Sequence, residues 1–112
     1  MIERVKVLKA LKKAYKETNR PIWRAVYKVG EKNAEKHVVN VSKLERLVPE
    51  GSYVIVLGKV LGGGSLNKKL YVGAFGFSRA GKEKIVKAGG EALLIDEFAE
   101  KYKDQRGIII VK

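Results

Sequence analysis

Residues 42–57 read S-K-L-E-R-L-V-P-E-G-S-Y-V-I-V-L. Ser42 to Val48 has the pattern of a short helix, and Ser42 with Glu45 fits a capping box. Pro49-Glu50-Gly51 ends it, because proline and glycine break helical hydrogen bonding and supply turn geometry. Tyr53–Leu57 follows as an unbroken run of β-formers, which predicts a strand. The unit is therefore cap, helix, glycine-bearing turn, strand. It recurs twice toward the C-terminus. Ser78 is placed to cap a helix to about Ala88, Gly89-Gly90 ends that helix, and Ala92–Ile95 is a strand. Asp96 is placed to cap a helix to about Tyr102, a turn runs through Gly107, and Ile108–Val111 is a strand. The caps lie 36 and then 18 residues apart, so the repetition is irregular. An extra strand, Lys69–Phe77, occupies the longer interval. The result is α/β organisation with no linker inside residues 40–112.

Outward toward the N-terminus the pattern changes to helix alone. Val5, Leu8, Leu11 and Tyr15 recur at helical spacing and predict an apolar stripe on a helix over 3–18. Lys6, Lys9, Lys13 and Lys16 follow the same period on another face. Thr18-Asn19-Arg20-Pro21 interrupts the helix, and proline suits the first turn of a second one, from Pro21 to about Val29. Residues 30–38 read as a polar loop. This organisation divides the chain into a basic helical extension, residues 1–38, and an α/β core, residues 39–112. Because the lysine face of the extension repels itself, incomplete order is expected there without a polyanion.

The chain has 112 residues, of which 46% are hydrophobic, which suits one globular domain of about 100–150 residues. It carries 24 Lys+Arg against 12 Asp+Glu, a formal charge of +12. That excess points to a polyanionic partner, above all nucleic acid. The excess is concentrated in two segments. Residues 1–30 hold nine basic and two acidic groups, and residues 51–90 hold seven and one. Two surfaces are therefore expected to touch the polyanion. No cysteine is present, so disulfides, cysteine nucleophiles and thiolate metal sites are excluded. The opening M-I-E-R-V-K-V-L-K breaks its apolar residues with charge. No apolar run approaches the roughly 18–20 residues of a membrane span. A cytoplasmic protein without a membrane contact is expected.

Gly58-Lys59-Val60-Leu61-Gly62-Gly63-Gly64-Ser65-Leu66-Asn67-Lys68-Lys69-Leu70 resembles a phosphate cradle but matches neither nucleotide motif. A Walker A loop needs G-x-x-x-x-G-K-[ST], and a dinucleotide fingerprint needs G-x-G-x-x-G opening a helix. Here the sixth position of the run that starts at Gly62 is not glycine, and K-L-Y-V-G-A-F-G-F reads as a strand. The segment is expected to be a long hairpin connection. Gly63 and Gly64 would expose backbone amides to RNA phosphate, with Lys59, Lys68 and Lys69 at its ends. Catalysis has little support. His37 is the only histidine, no G-x-S-x-G elbow is present, and Glu97 and Glu100 sit among charges on a short helix. Trp23, next to Arg24, is either a packing residue or a platform for a flipped base. Phe75 and Phe77 share one strand face, and core packing is the favoured reading. Arg79, Lys82 and Lys84 put positive charge at a helix start, where anions are preferred. An RNA phosphate would relieve that conflict.

Several stretches then fit together in order. Pro21-Ile22-Trp23-Arg24 opens the second helix, and N-V-S-K-L-E-R follows at 40–46, with Lys43 inside it. G-K-V-L-G-x-G-x-L-x-K-K runs from Gly58 to Lys69, A-F-x-F-S occupies 74–78, and K-E-K-I-x-K-A-G-G-E-A-L occupies 82–93. In this order they resemble the archaeal and eukaryotic large-subunit ribosomal protein family L-eighteen-e, a relative of the bacterial L-fifteen family. Two departures are visible: residues 30–37 are charge-balanced where the family carries an arginine-rich run, and Leu57 stands where it often has proline. The resemblance implies an irregular superhelical α/β domain of β-β-α units with an N-terminal basic two-helix extension. It implies a non-enzymatic constituent of the large ribosomal subunit, of archaeal type, with large-subunit rRNA and neighbouring ribosomal proteins as partners. No cofactor, metal or small-molecule substrate is expected. The expected RNA contacts are Arg4, Lys6, Lys9, Lys13, Lys16, Arg20, Trp23 and Arg24 on one surface. On the other they are Lys43, Lys59, Gly63, Gly64, Lys68, Lys69, Arg79, Lys82 and Lys84. The alternatives are an extra-ribosomal RNA-binding module and, further off, a small enzyme acting on RNA.

Overall fold

The computed structural model describes residues 4–32 and 37–112. Ten elements follow one another: α1 (Arg4–Thr18), α2 (Pro21–Glu31), β1 (Val38–Asn40), α3 (Val41–Leu47), β2 (Tyr53–Leu61), β3 (Tyr71–Phe77), α4 (Arg79–Lys87), β4 (Glu91–Leu94), α5 (Ile95–Tyr102) and β5 (Ile109–Val111). The three helix–strand units expected from the sequence are α3–β2, α4–β4 and α5–β5. The short strand β1, which overlaps the expected polar loop only at Val38, was not expected.

All five strands are parallel. β2 is central, with β3 and then β4 on one side. On its other side β5 pairs with residues 54–56 and β1 with residues 59–61. A parallel sheet must be covered on both faces, and the unbroken run Y-V-I-V-L carries that signature. One face packs Val54, Val56, Val72 and Ala74 against Leu44 of α3 and Ile85 of α4. The other packs Ile55, Leu57 and Phe75 against Val7, Leu11 and Ala14 of α1, Trp23 and Val26 of α2, and Phe98 of α5. The structure is thus a mixed α/β sandwich with helices on both sides of the sheet.

The expected hairpin between β2 and β3 is replaced by a parallel return. Tyr53 lies opposite Tyr71, so both strands start at the same end of the sheet. Residues 62–70 must therefore run back along the full length of β2. Nine residues reach about 30 Å when extended, and nine strand residues rise about as far. The link is consequently close to taut, with no length left for a helix. Buried Leu66 and Leu70 fix it to the sheet face between α3 and α4.

Other expectations shift in detail. α1 buries Val7, Leu11 and Ala14 and leaves Val5 61% exposed, so its buried stripe is rotated from Val5–Leu8–Leu11–Tyr15. The small side chains of Ala14 and Ala99 share that buried cluster with Leu11, letting α1 approach α5 closely. α2 continues two residues past Val29. Ser42 does not cap α3: the helix begins at Val41, after Asn40. Asp96 does not cap α5, which begins at Ile95 after Leu94. Ser78 does cap α4, accepting from the Gly81 amide at 3.0 Å. β2 runs four residues past Leu57, through an irregularity between Val56 and Lys59. Gly58 is required there, because a Cβ would run into the His37 carbonyl oxygen. That carbonyl accepts from the Lys59 amide at 2.8 Å. Beyond the irregularity Phe77 packs against the α3/α4 side while Phe75 stays on the other, so the two rings do not share a face.

Candidate nucleic-acid interface

In a parallel sheet built this way, the carboxyl ends of the strands face the starts of the helices. α3 begins directly after β1, α4 after β3 and Ser78, and α5 directly after β4. The corner Gly62-Gly63-Gly64 follows β2 and lies between the first turns of α3 and α4. Its glycines are fitted to that place. A Cβ on Gly62 would lie 2.6 Å from the Ala80 Cβ, and one on Gly64 would run into Ser42. Gly64 also has a φ of +83°, a conformation glycine adopts without steric cost. Three sets of bonds pin the corner. The Gly63 amide donates to Asn40 Oδ1 at 2.9 Å, and the Ser42 amide donates to the Gly63 carbonyl at 3.2 Å. The Lys84 ammonium donates to the carbonyls of both Gly62 and Gly64, each at 2.6 Å.

Exposed cations surround this rim. Lys59 and Lys82 are exposed. The Arg79 side chain is 94% exposed and pairs one turn along with Glu83 at 3.0 Å. The starts of α3 and α4 contribute backbone amide dipoles, and neither has an acidic residue in its first turn. The rim thus combines exposed cations and helix starts around an exposed glycine corner whose Gly63 amide is already taken by Asn40, so the cations are its main donors for phosphate oxygens.

The remaining expected residues separate into distinct places. Lys84 and the half-buried Lys43 stand at the rim but serve the fold, Lys43 donating to the carbonyl oxygen of Lys112 at 2.7 Å. Lys68 and Lys69 lie at the opposite end of the sheet. Lys68 donates to the carbonyls of Glu45 at 2.7 Å and Val48 at 2.9 Å, satisfying the end of α3. Lys69 sits over the Tyr71 ring, 5.7 Å from its centre. The two ends of the glycine-lysine stretch are therefore separated by the length of β2 and do not form a single tip.

On the other layer, Lys6, Lys9, Lys13 and Lys16 are exposed along α1, and Arg24 is exposed on α2. Lys6 lies 3.8 Å from Asp96 at the start of α5, so that end of α1 reaches toward the rim. The side chain of Arg4 falls outside the described residues. Trp23 is a correction: it is fully buried, and its indole N–H donates to the Lys103 carbonyl at 2.8 Å. A ring enclosed on all sides offers no face to a base. The half-buried Arg20 donates to the same carbonyl at 2.7 Å. Lys103 is a hub that no local sequence signal marks, since its partners are about 80 residues away.

Two ion pairs at the far end of the molecule shift their groups. The hydrogen bond from Lys103, at 2.6 Å, holds the Glu17 carboxyl below its ordinary range, and Glu17 in turn raises the Lys103 ammonium. The Glu91 carboxyl is lowered first by Lys101 at 2.7 Å and then by the Tyr102 hydroxyl. Glu91 raises Lys101, while burial is the main cause that pushes the Tyr102 phenol up. The Glu17, Lys103, Glu91 and Lys101 shifts thus follow from pairing at the surface, and the Tyr102 shift mainly from burial. Among the described residues, no helix is long and apolar enough to cross a membrane.

Known proteins give the geometry its context. The chain is 43% identical over 102 residues to a protein of Pyrobaculum aerophilum named large ribosomal subunit protein eL18, covering 90% of this chain and 84% of the relative. A protein of the same name from Methanococcus maripaludis is 42% identical over 93 residues, covering 82% and 78%. A third, from Methanopyrus kandleri, is 38% identical over 117 residues, covering 99% and 92%. The family model that describes the 50S ribosomal proteins L15 and L18e, together with a 60S counterpart, matches residues 8–93, most of the sheet and both helical layers, and the chain belongs to that family of ribosomal proteins.

Proposed function

We propose that this chain is a non-enzymatic structural constituent of the large ribosomal subunit that binds and stabilises rRNA, supporting translation in the cytoplasm. The observation that carries the reading is its match along most of its length to relatives named as large-subunit proteins. The distribution of charge on the fold agrees with it. One contact is the rim, with Lys59, Arg79 and Lys82 around the exposed corner of Gly63 and Gly64, whose internal bonds hold it in shape. The other is the face of α1 and α2, with Lys6, Lys9, Lys13, Lys16 and Arg24. Lys43, Lys84 and Arg20 shape these surfaces by holding backbone carbonyls. Lys68 and Lys69 extend the basic surface to the other end of the sheet. Neighbouring ribosomal proteins complete the set of partners.

The mechanism is electrostatic. Each lysine or arginine that neutralises a phosphate releases condensed counterions, and most such contacts position the protein without reading sequence. Affinity for a large-subunit rRNA fragment is therefore expected to fall by at least about tenfold between about 50 and 200 mM salt. Salt-independent binding would contradict the reading. The direct test is a sucrose gradient of cell extract. The chain is expected to migrate with large subunits after a high-salt wash. Recovery at the top of the gradient with RNA binding intact would instead identify an RNA-binding factor outside the ribosome.

A further inference from the structure

An open concavity of about 560 Å3 lies between the return link and α4, beside the glycine corner. Gly64, Ser65, Leu66 and Asn67 line it from the link, and Lys84, Lys87 and Ala88 from the other side. Both charged groups in that lining are cations, so its occupant is anionic. Lys84 spends two ammonium protons on the Gly62 and Gly64 carbonyls, leaving a third for a ligand. Lys87 is exposed at the mouth of the concavity. Leu66 and Ala88 add an apolar wall, and Asn67 adds a donor and an acceptor on one planar group. The volume falls within the roughly 300–1,000 Å3 of ordinary ligand pockets.

We propose that this concavity holds one unpaired nucleotide of the bound RNA. Its phosphate sits on Lys87 and Lys84, its base lies against Leu66 and Ala88, and Asn67 meets the edge of the base. A double helix presents its phosphates but cannot insert a base, whereas a bulged or looped nucleotide supplies both. The site is therefore selective for single-stranded over paired RNA, unlike the convex lysine face of α1. This inference rests on the RNA-binding reading and adds to it the strandedness and the place of one contact.

The experiment compares two fluorescein-labelled probes on the full chain, a single-stranded uridine 12-mer and a blunt 12-base-pair RNA duplex. Lys87→Glu and Ser65→Trp change exposed positions, and unchanged thermal unfolding checks their fold. Both variants are expected to bind the single strand about tenfold more weakly, the worth of one base contact and one phosphate. Duplex affinity is expected to stay within about twofold. The amide resonances of 64–67, 87 and 88 are expected to shift with the single strand and not with the duplex. Equal weakening of both probes would overturn the nucleotide site in favour of a general phosphate surface. No weakening of either, with wild-type binding intact, would overturn it while leaving RNA binding standing. Stronger shifts at these amides with a poly-glutamate peptide than with the 12-mer would assign the concavity to an acidic protein segment. Failure of the wild type to bind either probe would remove both readings together.

Discussion

Trp23 shows how one bond decides between two readings of a residue. Tryptophan beside arginine on a short helix suits either core packing or base stacking, and the sequence contains nothing that separates them. The Lys103 carbonyl does, because it satisfies the indole N–H inside the fold and makes full burial tolerable. Trp23→Phe keeps most of the volume and loses that bond, so it is expected to cost about 1 kcal/mol in a urea titration. Trp23→Ala leaves a cavity as well and is expected to cost about 3–5 kcal/mol. Lys68 and Lys84 were equally illegible. Their partners are backbone carbonyls about 20 residues away in sequence, and a backbone acceptor leaves no mark on composition. The Glu17–Lys103 pair has a pH signature. The lowered Glu17 contributes stability above its ordinary pKa of 4.5, lost as pH falls through the folded value. The raised Lys103 contributes below 10.5, lost as pH rises through its own folded value. Glu17→Gln is therefore expected to lower Tm slightly at pH 7, with the difference from wild type shrinking as pH falls below 4.5 through the lowered folded value. A constant difference across that range would mean the carboxylate charge plays no part.

At the level of elements, the helix–strand units were readable because their signals are local. Ser78 caps across three residues, and Gly89, just past the C-cap Ala88 of α4, turns with a φ of +90°. The hairpin reading failed because apolar, glycine, apolar describes an antiparallel turn and a parallel return equally well. The clue that favours the return was present in β2. Tyr53–Leu57 lacks the alternation of a half-exposed strand, which is how strands covered on both faces look. Strand direction itself depends on pairing partners, and these lie far apart in sequence. The glycine corner offers a test at this scale. Gly64→Ala is strained by its positive φ and is obstructed by Ser42. It is expected to cost about 1–3 kcal/mol in chemical denaturation and, under the proposed function, to weaken rRNA binding by displacing the rim. Gly107 also has a positive φ, but nothing lies within 4 Å of an added Cβ. Gly107→Ala should therefore be the milder change, and the reverse order would refute the close packing of the corner.

Over the whole molecule, the sequence led to the expectation of a basic two-helix segment beside an α/β core, without showing how the two would meet. The N-terminal helices supply Val7, Leu11, Ala14, Trp23 and Val26 to the cluster that covers Ile55, Leu57 and Phe75. Lysine repulsion along α1 is thus opposed by a complete apolar face on the other side of the same helix. Removal of residues 1–38 is expected to uncover that face of the sheet. The truncated chain should aggregate or unfold, as read by size-exclusion chromatography and circular dichroism. A soluble, cooperatively melting truncation would show that the α/β part stands alone. In the intact protein, amides of α2 around Trp23 are expected to exchange as slowly as those of β2 without RNA present.

The pairing of β5 with the first half of β2 has a consequence for how the chain is made. Synthesis proceeds from the amino end, so residues 54–56 wait on one side until residues 109–111 have followed them. Every other pairing in the sheet also joins segments separated by a crossover. No strand can find its neighbour through a tight turn, and topologies dominated by such distant contacts form slowly. During that interval the incomplete sheet presents a bare strand edge beside strong positive charge. Newly made chains should accordingly depend on early capture by a chaperone or by the proposed rRNA partner, and on timing as much as on final stability.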